Sequence, residues 1–357
     1  MNNKKVTTTD IARAAGVSQT TVSVVLSGNS SIAISDATRK RVIETAKEMG
    51  YERRPRNRRS TGKRLPGSHI GRSRLIGLMV PSLGDLYYAN IVKYVENYAS
   101  MMGYEVVICD VKRKREREAF RLQSLLAMGV DGVIVAYTPS DIASLRIISR
   151  SVPVVILGES PTNCGIHTIG INSYRCGEMM ASFLYELGHR DIALLTAPLN
   201  ASTLTRCRRI EGARAFLETK GVADHFFVVE DETDPDNDEM SWIEMGWRLT
   251  RKLLEGGRKF TAVIAGEALV PGVYRALADR HLFVPQDVSV VGINNTFIGQ
   301  IASPKLTTID YHIAENCKLV LEHIDRYLRS DPHTTQPALN EKLPSLIMRE
   351  STGCIRA

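Results

Sequence analysis

From Leu75 onward the chain alternates apolar runs with helical stretches, and this rhythm limits the fold more than any other feature. The runs are LIGLMV (75–80), EVVIC (105–109), DGVIVAY (131–137), VPVVIL (152–157), HTIGI (167–171), DIALLTA (191–197), FFVVE (226–230), TAVIAG (261–266) and DVSVVGI (287–293). They are continuous rather than alternating, which is the pattern of strands buried on both faces of a parallel sheet. Nine such strands exceed one small sheet, so the spacing predicts an α/β core of two doubly wound lobes. Ligands in such sheets sit at the carboxyl ends of strands, where the strand-to-helix loops converge.

The first fifth of the chain is different. Thr7 or Thr8 is placed to cap a first helix whose inner face is Ile11, Ala12 and Ala15, and Gly16 ends it. Ser18 caps a second helix carrying Val22, Val25 and Leu26. Ser35 caps a third, with Val42, Ile43, Ala46 and Met49 facing inward and Gly50 closing it. A helix, a glycine-containing turn and a second helix make a helix-turn-helix.

Charge separates the regions further. Residues 1–52 carry seven basic and five acidic groups, residues 53–74 carry nine basic and no acidic, and the remainder carries 30 basic and 34 acidic. The excess positive charge therefore lies at one end, the footprint of a nucleic-acid-binding region. The six cysteines (Cys109, Cys164, Cys176, Cys207, Cys317, Cys354) are scattered without a C-x-x-C pair, as expected of reduced thiols in an intracellular protein. The N-terminus MNNKKVTTTD has no apolar signal core, and no apolar run reaches the roughly 20 residues that span a bilayer. The expected location is the cytoplasm, with no membrane partner.

DIARAAGVSQTTVS…L followed by S…TRKRVIETAKEMGY resembles the N-terminal signature of the lactose-repressor (LacI/GalR) family of bacterial transcription regulators. The resemblance continues through GHRDIALL (188–195), RRIEGARAFL (208–217), VPQDVSVVGINN (284–295), PKLTTI (304–309) and LIMRESTG (346–353). It implies an N-terminal helix-turn-helix DNA-binding domain followed by a two-lobed, periplasmic-binding-protein-like core of doubly wound parallel sheets. The expected organisation is residues 1–52 for DNA binding, 53–74 as a basic hinge or linker, and 75–357 as effector-binding and dimerisation core. The implied partners are a near-palindromic double-stranded operator, a second copy of the chain, and a small carbohydrate-like effector. No leucine-heptad segment follows LIMREST, which favours a dimer over a tetramer.

Docked as in the family, the second helix enters the major groove N-terminus first. Gln19 can then pair bidentately with adenine, Thr20 can bond either kind of base, and Val24 offers apolar contact suited to a thymine methyl. Relatives often carry Arg or His at the Val24 position, so a different base is expected there. Thr8, Ser18, Thr21, Ser23 and Thr38 read as phosphate contacts and caps, which set register rather than sequence.

In the family the segment after the third helix forms a hinge helix on DNA and inserts an apolar wedge, usually leucine, into the minor groove. This chain departs from that pattern: the wedge position falls on Ser60, and Leu65 precedes Pro66, where helix is disfavoured. Pro55, Gly62, Pro66, Gly67 and Gly71 all oppose helix. Three readings fit: Arg54, Arg56, Arg58, Arg59, Lys63 and Arg64 act as an arm reading a narrow A·T-rich minor groove; they form a charged linker; or a modified hinge helix spans residues 55–61.

In the core the resemblance places Tyr87 and Tyr88 (in LYYANI) in the first cleft loop, and Arg209 (in RRIEG) at an arginine that commonly holds a ligand hydroxyl or carboxylate. Glu267 stands where Asp is usual, and Asn294 replaces another frequent Asp. Losing one negative charge beside Arg209 moves the expectation toward an anionic ligand. KRKRERE (112–118) reads as a solvated helix start, and DETDPDNDE (231–239) as a solvated loop, since calcium-loop spacing from Asp234 fails at Glu239 and Met245.

No zinc-protease, nucleophile-elbow, phosphate-loop or dinucleotide-binding motif is present, so neither an enzyme nor a cofactor is expected. Two alternatives remain beside the regulator: an orphan DNA-binding regulator with no effector, and a periplasmic-type solute-binding protein, which has no use for residues 7–50.

Overall fold

A computed structural model describes residues 7–27, 34–49, 73–159, 164–199, 203–232, 239–329 and 342–355. The chain divides into two compact units, residues 1–68 and 69–357.

The first unit contains α1 (Thr8–Ala15), α2 (Gln19–Ser27) and α3 (Asp36–Glu48). Thr7 and Asp10 form a reciprocal capping box at the start of α1, and Gly16 ends the helix at φ 64°, a left-handed conformation that glycine adopts without strain. The Ser18 hydroxyl accepts from the Thr21 amide at 3.1 Å, and that of Ser35 from the Thr38 amide at 3.3 Å. Ile11, Ala12, Ala15, Val22, Val25, Val42 and Ala46 form the core, with Leu26 and Met49 against it. Ile43 corrects the expectation of an inward side chain, because it is 49% exposed. Val42, Ala46 and Met49 fall on one stripe of a 3.6-residue helix, whereas position 43 is turned about 100° away. Gly50, expected to close α3, lies outside the described residues.

The second unit begins with β1 (Leu75–Val80), α4 (Leu86–Met101), β2 (Glu105–Asp110), α5 (Arg115–Met128), β3 (Gly132–Val135), α6 (Ile142–Ile148), β4 (Val154–Leu157) and β5 (His167–Ile169). These strands form one all-parallel sheet in the order β2-β1-β3-β4-β5. The chain then crosses into a second lobe: α7 (Ser173–Glu186), β6 (Ile192–Thr196), α8 (Leu204–Thr219), β7 (Phe226–Glu230), α9 (Glu239–Glu255), β8 (Ala262–Ala265), α10 (Val270–Ala278), β9 (Ser289–Ile293), α11 (Phe297–Ile301) and β10 (Thr307–Asp310). It returns to the first lobe as α12 (Ile313–Arg329), whose Cys317, Val320, Leu321 and Ile324 pack on Ile76, Leu78 and Ile134. β11 (Ser345–Ile347) then closes the second sheet, order β11-β10-β9-β8-β6-β7, as its one antiparallel member.

Each of the nine apolar runs supplies one strand, β1 to β9, and two further strands come from sequence without such a run. Alternate residues bury on opposite faces: Ile76, Leu78 and Val80 pack in one cluster, Met79 in another. Likewise Ala193 and Leu195 face one way, Ile192 and Leu194 the other. With both faces covered, neither needs polar residues, which explains the continuous runs.

Candidate DNA-reading helix and inter-lobe cleft

Ser18, just before α2, and Gln19 are exposed, while Thr21 and Val24 are half-buried. The Gln19 Nε2 donates to the Thr8 hydroxyl at 3.2 Å, which holds the amide at the amino end of the helix before any base is met. The Ser18 and Thr21 hydroxyls lie 2.8 Å apart, and those of Ser35 and Thr38 2.9 Å apart, so these residues serve as caps in the free unit. The side chains of Thr20 and Ser23, and Arg54, Arg56, Arg58 and Arg59 entirely, lie outside the described residues.

In the second unit a cavity of about 780 Å³ opens between the lobes. Its walls are the loops just past the carboxyl ends of strands: Pro81 and Asp85 after β1, Arg113 after β2, Tyr137 after β3, Glu159 after β4, Ala197 and Arg206 after β6, Gly266 and Glu267 after β8, Asn294 after β9 and Tyr311 after β10. Both sheets reverse direction of growth at this mouth, between β1 and β3 and between β6 and β8. Such switch points are where doubly wound sheets bind ligands.

All five core residues singled out in the sequence, Tyr87, Tyr88, Arg209, Glu267 and Asn294, line this cavity. Tyr87 packs against the cores of both lobes. Its ring lies 5.1 Å from Tyr88 and 6.1 Å from Tyr311, edge-on to each. Tyr311 in turn accepts from Arg209 Nη2 at 2.9 Å. The Arg209 Nε is buried with no hydrogen-bond partner among the described residues. Burial disfavours the Arg209 cation, but the Tyr311 hydroxyl and its neighbours outweigh this and hold the guanidinium above its ordinary value.

α8 carries Arg209 and is set by glycines. Gly177 of α7 and Gly212 of α8 face one another's helices so closely that a Cβ on either would lie 1.9 Å from a carbonyl oxygen opposite, that of Arg209 or of Tyr174. Only glycine permits that approach.

Glu267 is 1% exposed. Its carboxylate accepts from the Thr296 amide at 2.7 Å and from the hydroxyls of Thr296 and Thr308. Burial raises its pKa against the pull of those bonds. Asn294 takes a positive φ of 108°, and its amide donates to the Ile309 carbonyl at 2.9 Å.

The structure adds residues that sequence reasoning missed. KRKRERE is not simply a solvated helix start. Lys112 and Arg113 both adopt left-handed backbone (φ 50° and 52°), and Arg113 turns into the cleft. There its guanidinium lies 3.8 Å from Asp85 and 5.7 Å from the Tyr88 ring centre. Burial raises the Asp85 pKa, opposed by Arg113, the Tyr87 amide and Arg206. Glu118, from the same run, is buried and accepts from the Ser140 amide and hydroxyl at 3.2 and 2.8 Å.

The profile of bacterial regulatory proteins of the lacI family matches residues 7–54, and that of a periplasmic binding protein-like domain matches residues 181–352. Residues 7–54 thus match the DNA-binding domain of the lacI family of bacterial regulatory proteins. The chain is 29% identical over 338 residues to the ribose operon repressor of Escherichia coli K12, covering 93% of this chain and 94% of that one. It is 26% identical over 332 residues to catabolite control protein A of Priestia megaterium, covering 91% and 93% respectively. The structure of the Lac repressor dimer bound to operator and the anti-inducer ONPF superposes with a TM-score of 0.68 at 26% identity, over 98% of this chain and all of that one. The architecture expected from the sequence is therefore the family's architecture.

Proposed function

We infer that the chain is a sequence-specific transcriptional regulator of the repressor type, binding a near-palindromic operator as a homodimer, with operator affinity set by a small sugar-like effector in the inter-lobe cleft. One observation carries this reading. A capped helix-turn-helix and a cleft walled by aromatic and charged groups at both sheets' switch points occur in the same chain. The relatives support it by name: a ribose operon repressor, and a Lac repressor dimer on operator with a small ligand. The match of residues 7–54 to a family of regulatory proteins points away from catalysis. Among the described residues no helix is long and apolar enough to cross a membrane, and the proposed place of action is the cytoplasm, where the chromosome is.

Residues 1–52, 53–74 and 75–357 are proposed as reader, basic connector and sensor. Gln19, Thr20 and Val24 are proposed to read bases, with Thr8, Ser18, Thr21, Ser23 and Thr38 on phosphates. The test is fluorescence anisotropy on operators selected from a random library, comparing wild type with a variant carrying Arg54, Arg56, Arg58 and Arg59 all changed to Ala. Enrichment of palindromes is expected, and failure to enrich any sinks the regulator reading. Loss of central A·T preference in the variant assigns residues 53–74 as a minor-groove reader. Uniform weakening with a shallower salt slope assigns them as an electrostatic tether, since log K falls by about 0.9 per phosphate neutralised for each tenfold rise in salt.

A further inference from the structure

Resting on the reading of the cleft as the effector site, the charges on its walls go further and say what kind of effector fits. Among the described residues four carboxylates line the cavity: Asp85, Glu118, Glu159 and Glu267. Each already accepts hydrogen bonds from the protein. Asp85 takes the Tyr87 amide at 3.0 Å, Glu118 takes Ser140 and the Asp141 amide, Glu159 takes the Ser173 amide at 2.6 Å, and Glu267 takes Thr296 and Thr308. Both oxygens of Glu118 and of Glu267 are thus engaged, while Asp85 and Glu159 are each bonded at one oxygen. The cationic side is richer: Arg113, Lys114, Arg115, Arg206, Arg208 and Arg209. Arg208 reaches Glu211 at 3.1 Å, but among the described residues Arg209 meets a phenol hydroxyl at 2.9 Å and keeps a buried Nε–H with no acceptor. A buried charged donor left unpaired is costly, and such groups in native proteins call for a partner.

We propose that the cleft binds an organic anion, a hydroxylated carboxylate or phosphate ester such as a sugar acid or sugar phosphate, whose negative group is received by Arg209 with Arg113 facing it from the other lobe. Arginine suits this role because its planar fork meets carboxylate and phosphate oxygens two at a time. Arg113 and Arg209 come from different lobes and are linked through Asp85, Tyr88, Tyr87 and Tyr311. An anion between them offsets the repulsion that lobe closure would otherwise concentrate, so charge on the ligand and closure of the cleft are coupled.

The test uses the full-length protein at constant ionic strength of about 0.15 M, where exposed charges are screened beyond roughly 8 Å but cleft pairs much less so. Melting temperature, calorimetric affinity and operator anisotropy are recorded with D-gluconate, D-glucose 6-phosphate, inorganic phosphate, D-glucose and D-ribose against potassium chloride. At least one anion is expected to raise the melting temperature and change operator affinity while the neutral sugars do neither. Response to gluconate alone names a carboxylate ligand; response to the phosphates names a phosphate ester. Arg209→Gln and Arg113→Gln should each weaken that anion about 10- to 100-fold, the range for a charge-assisted hydrogen bond. Arg209→Lys, which restores the charge, should regain part of the response. Stabilisation by a neutral sugar and by no anion overturns the proposal and leaves the effector reading standing. If no probe, charged or neutral, shifts either readout, both fall together.

Discussion

Substituting Gly177 by alanine tests whether the α7–α8 contact sets the cleft. The new Cβ would lie 1.9 Å from the Arg209 carbonyl oxygen and 2.8 and 2.9 Å from two further backbone atoms of α8. An ordinary carbon–oxygen contact is about 3.3 Å, so the helices must part by about 1.4 Å, and no side-chain rotation can relieve a backbone clash. Overpacking of this kind costs about 1–3 kcal/mol, and its upper end applies where the obstacle is main chain. Alanine returns about 1 kcal/mol of helix propensity. The net expectation is destabilisation by about 1–2 kcal/mol, or roughly 2–8 °C in melting temperature for a unit of this size. Moving α8 also pulls Arg209 away from the Tyr311 hydroxyl, now at 2.9 Å, so the effector response should fall more than stability does. Gly212→Ala strains the same contact from the other side, at 1.9 Å from the Tyr174 carbonyl, and the double variant should cost less than the sum. Scanning calorimetry with and without effector is the assay. A Gly177→Ala protein that melts within a degree of wild type and keeps its effector response would refute the argument.

Three further expectations are smaller in scope. Gln19→Ala should cost about 1–3 kcal/mol on the best operator and relax preference at one base pair per half-site, read by repeating the operator selection; selection of the same site at full stringency would contradict the role. Ser35→Ala removes the cap whose hydroxyl accepts from the Thr38 amide and should destabilise the first unit by about 1 kcal/mol, measured by the melting of helicity in that unit. His323 is 7% exposed, stacked on His167 at 3.7 Å, and its pKa is lowered from the usual 6.5 to about 4, first by burial and then by His167 and Arg326. A depressed histidine stays neutral when folded, so its contribution is present above pH 6.5 and is lost as pH falls toward 4, by about 3 kcal/mol. His323→Phe, which keeps the stack, should flatten the acid limb of a melting-temperature profile, and an unchanged limb would locate the titration elsewhere.

What was legible in the sequence was local. Capping by Thr7, Ser18 and Ser35 and the left-handed Gly16 depend on neighbours three or four residues away, so the helix-turn-helix could be read residue by residue. The nine apolar runs announced nine strands, most of them because burial on both faces leaves an unbroken signal, although edge strand β2 leaves Ile108 40% exposed. β10 and β11 escaped for the converse reason: Thr307 and Thr308 are fully buried but polar, satisfied by Ser351, Thr352 and Glu267, and β11 is three residues of half-buried edge. In the cleft, Tyr87, Tyr88 and Arg209 could be placed by motif. Arg113 could not, because a run of alternating charges looks solvated until two left-handed residues fold it inward. Glu267 shows the same limit. An acidic group after a strand reads as a ligand acceptor, and only tertiary contact reveals that Thr296 and Thr308 already occupy it.

The cleft geometry also bounds how a ligand could reach the operator. An effector shifts the balance between lobe arrangements only by its difference in affinity for them, and contacts to one lobe alone contribute nothing to that difference. Arg209 belongs to the second lobe and Arg113 to the first, while Tyr87 packs on both cores. A charge-assisted bond formed only on closure is worth about 1.5–3 kcal/mol, which is about the whole of a typical allosteric coupling of 1–3 kcal/mol. One bond is therefore enough. If the ligand rests on Arg209 in both arrangements and gains Arg113 only in the closed one, Arg113→Gln should lower ligand affinity and operator coupling by the same factor. Arg209→Gln should lower affinity more than coupling. Titrating operator binding against effector for the two variants separates these outcomes, and equal losses of coupling in both would place the closing contact elsewhere in the cleft.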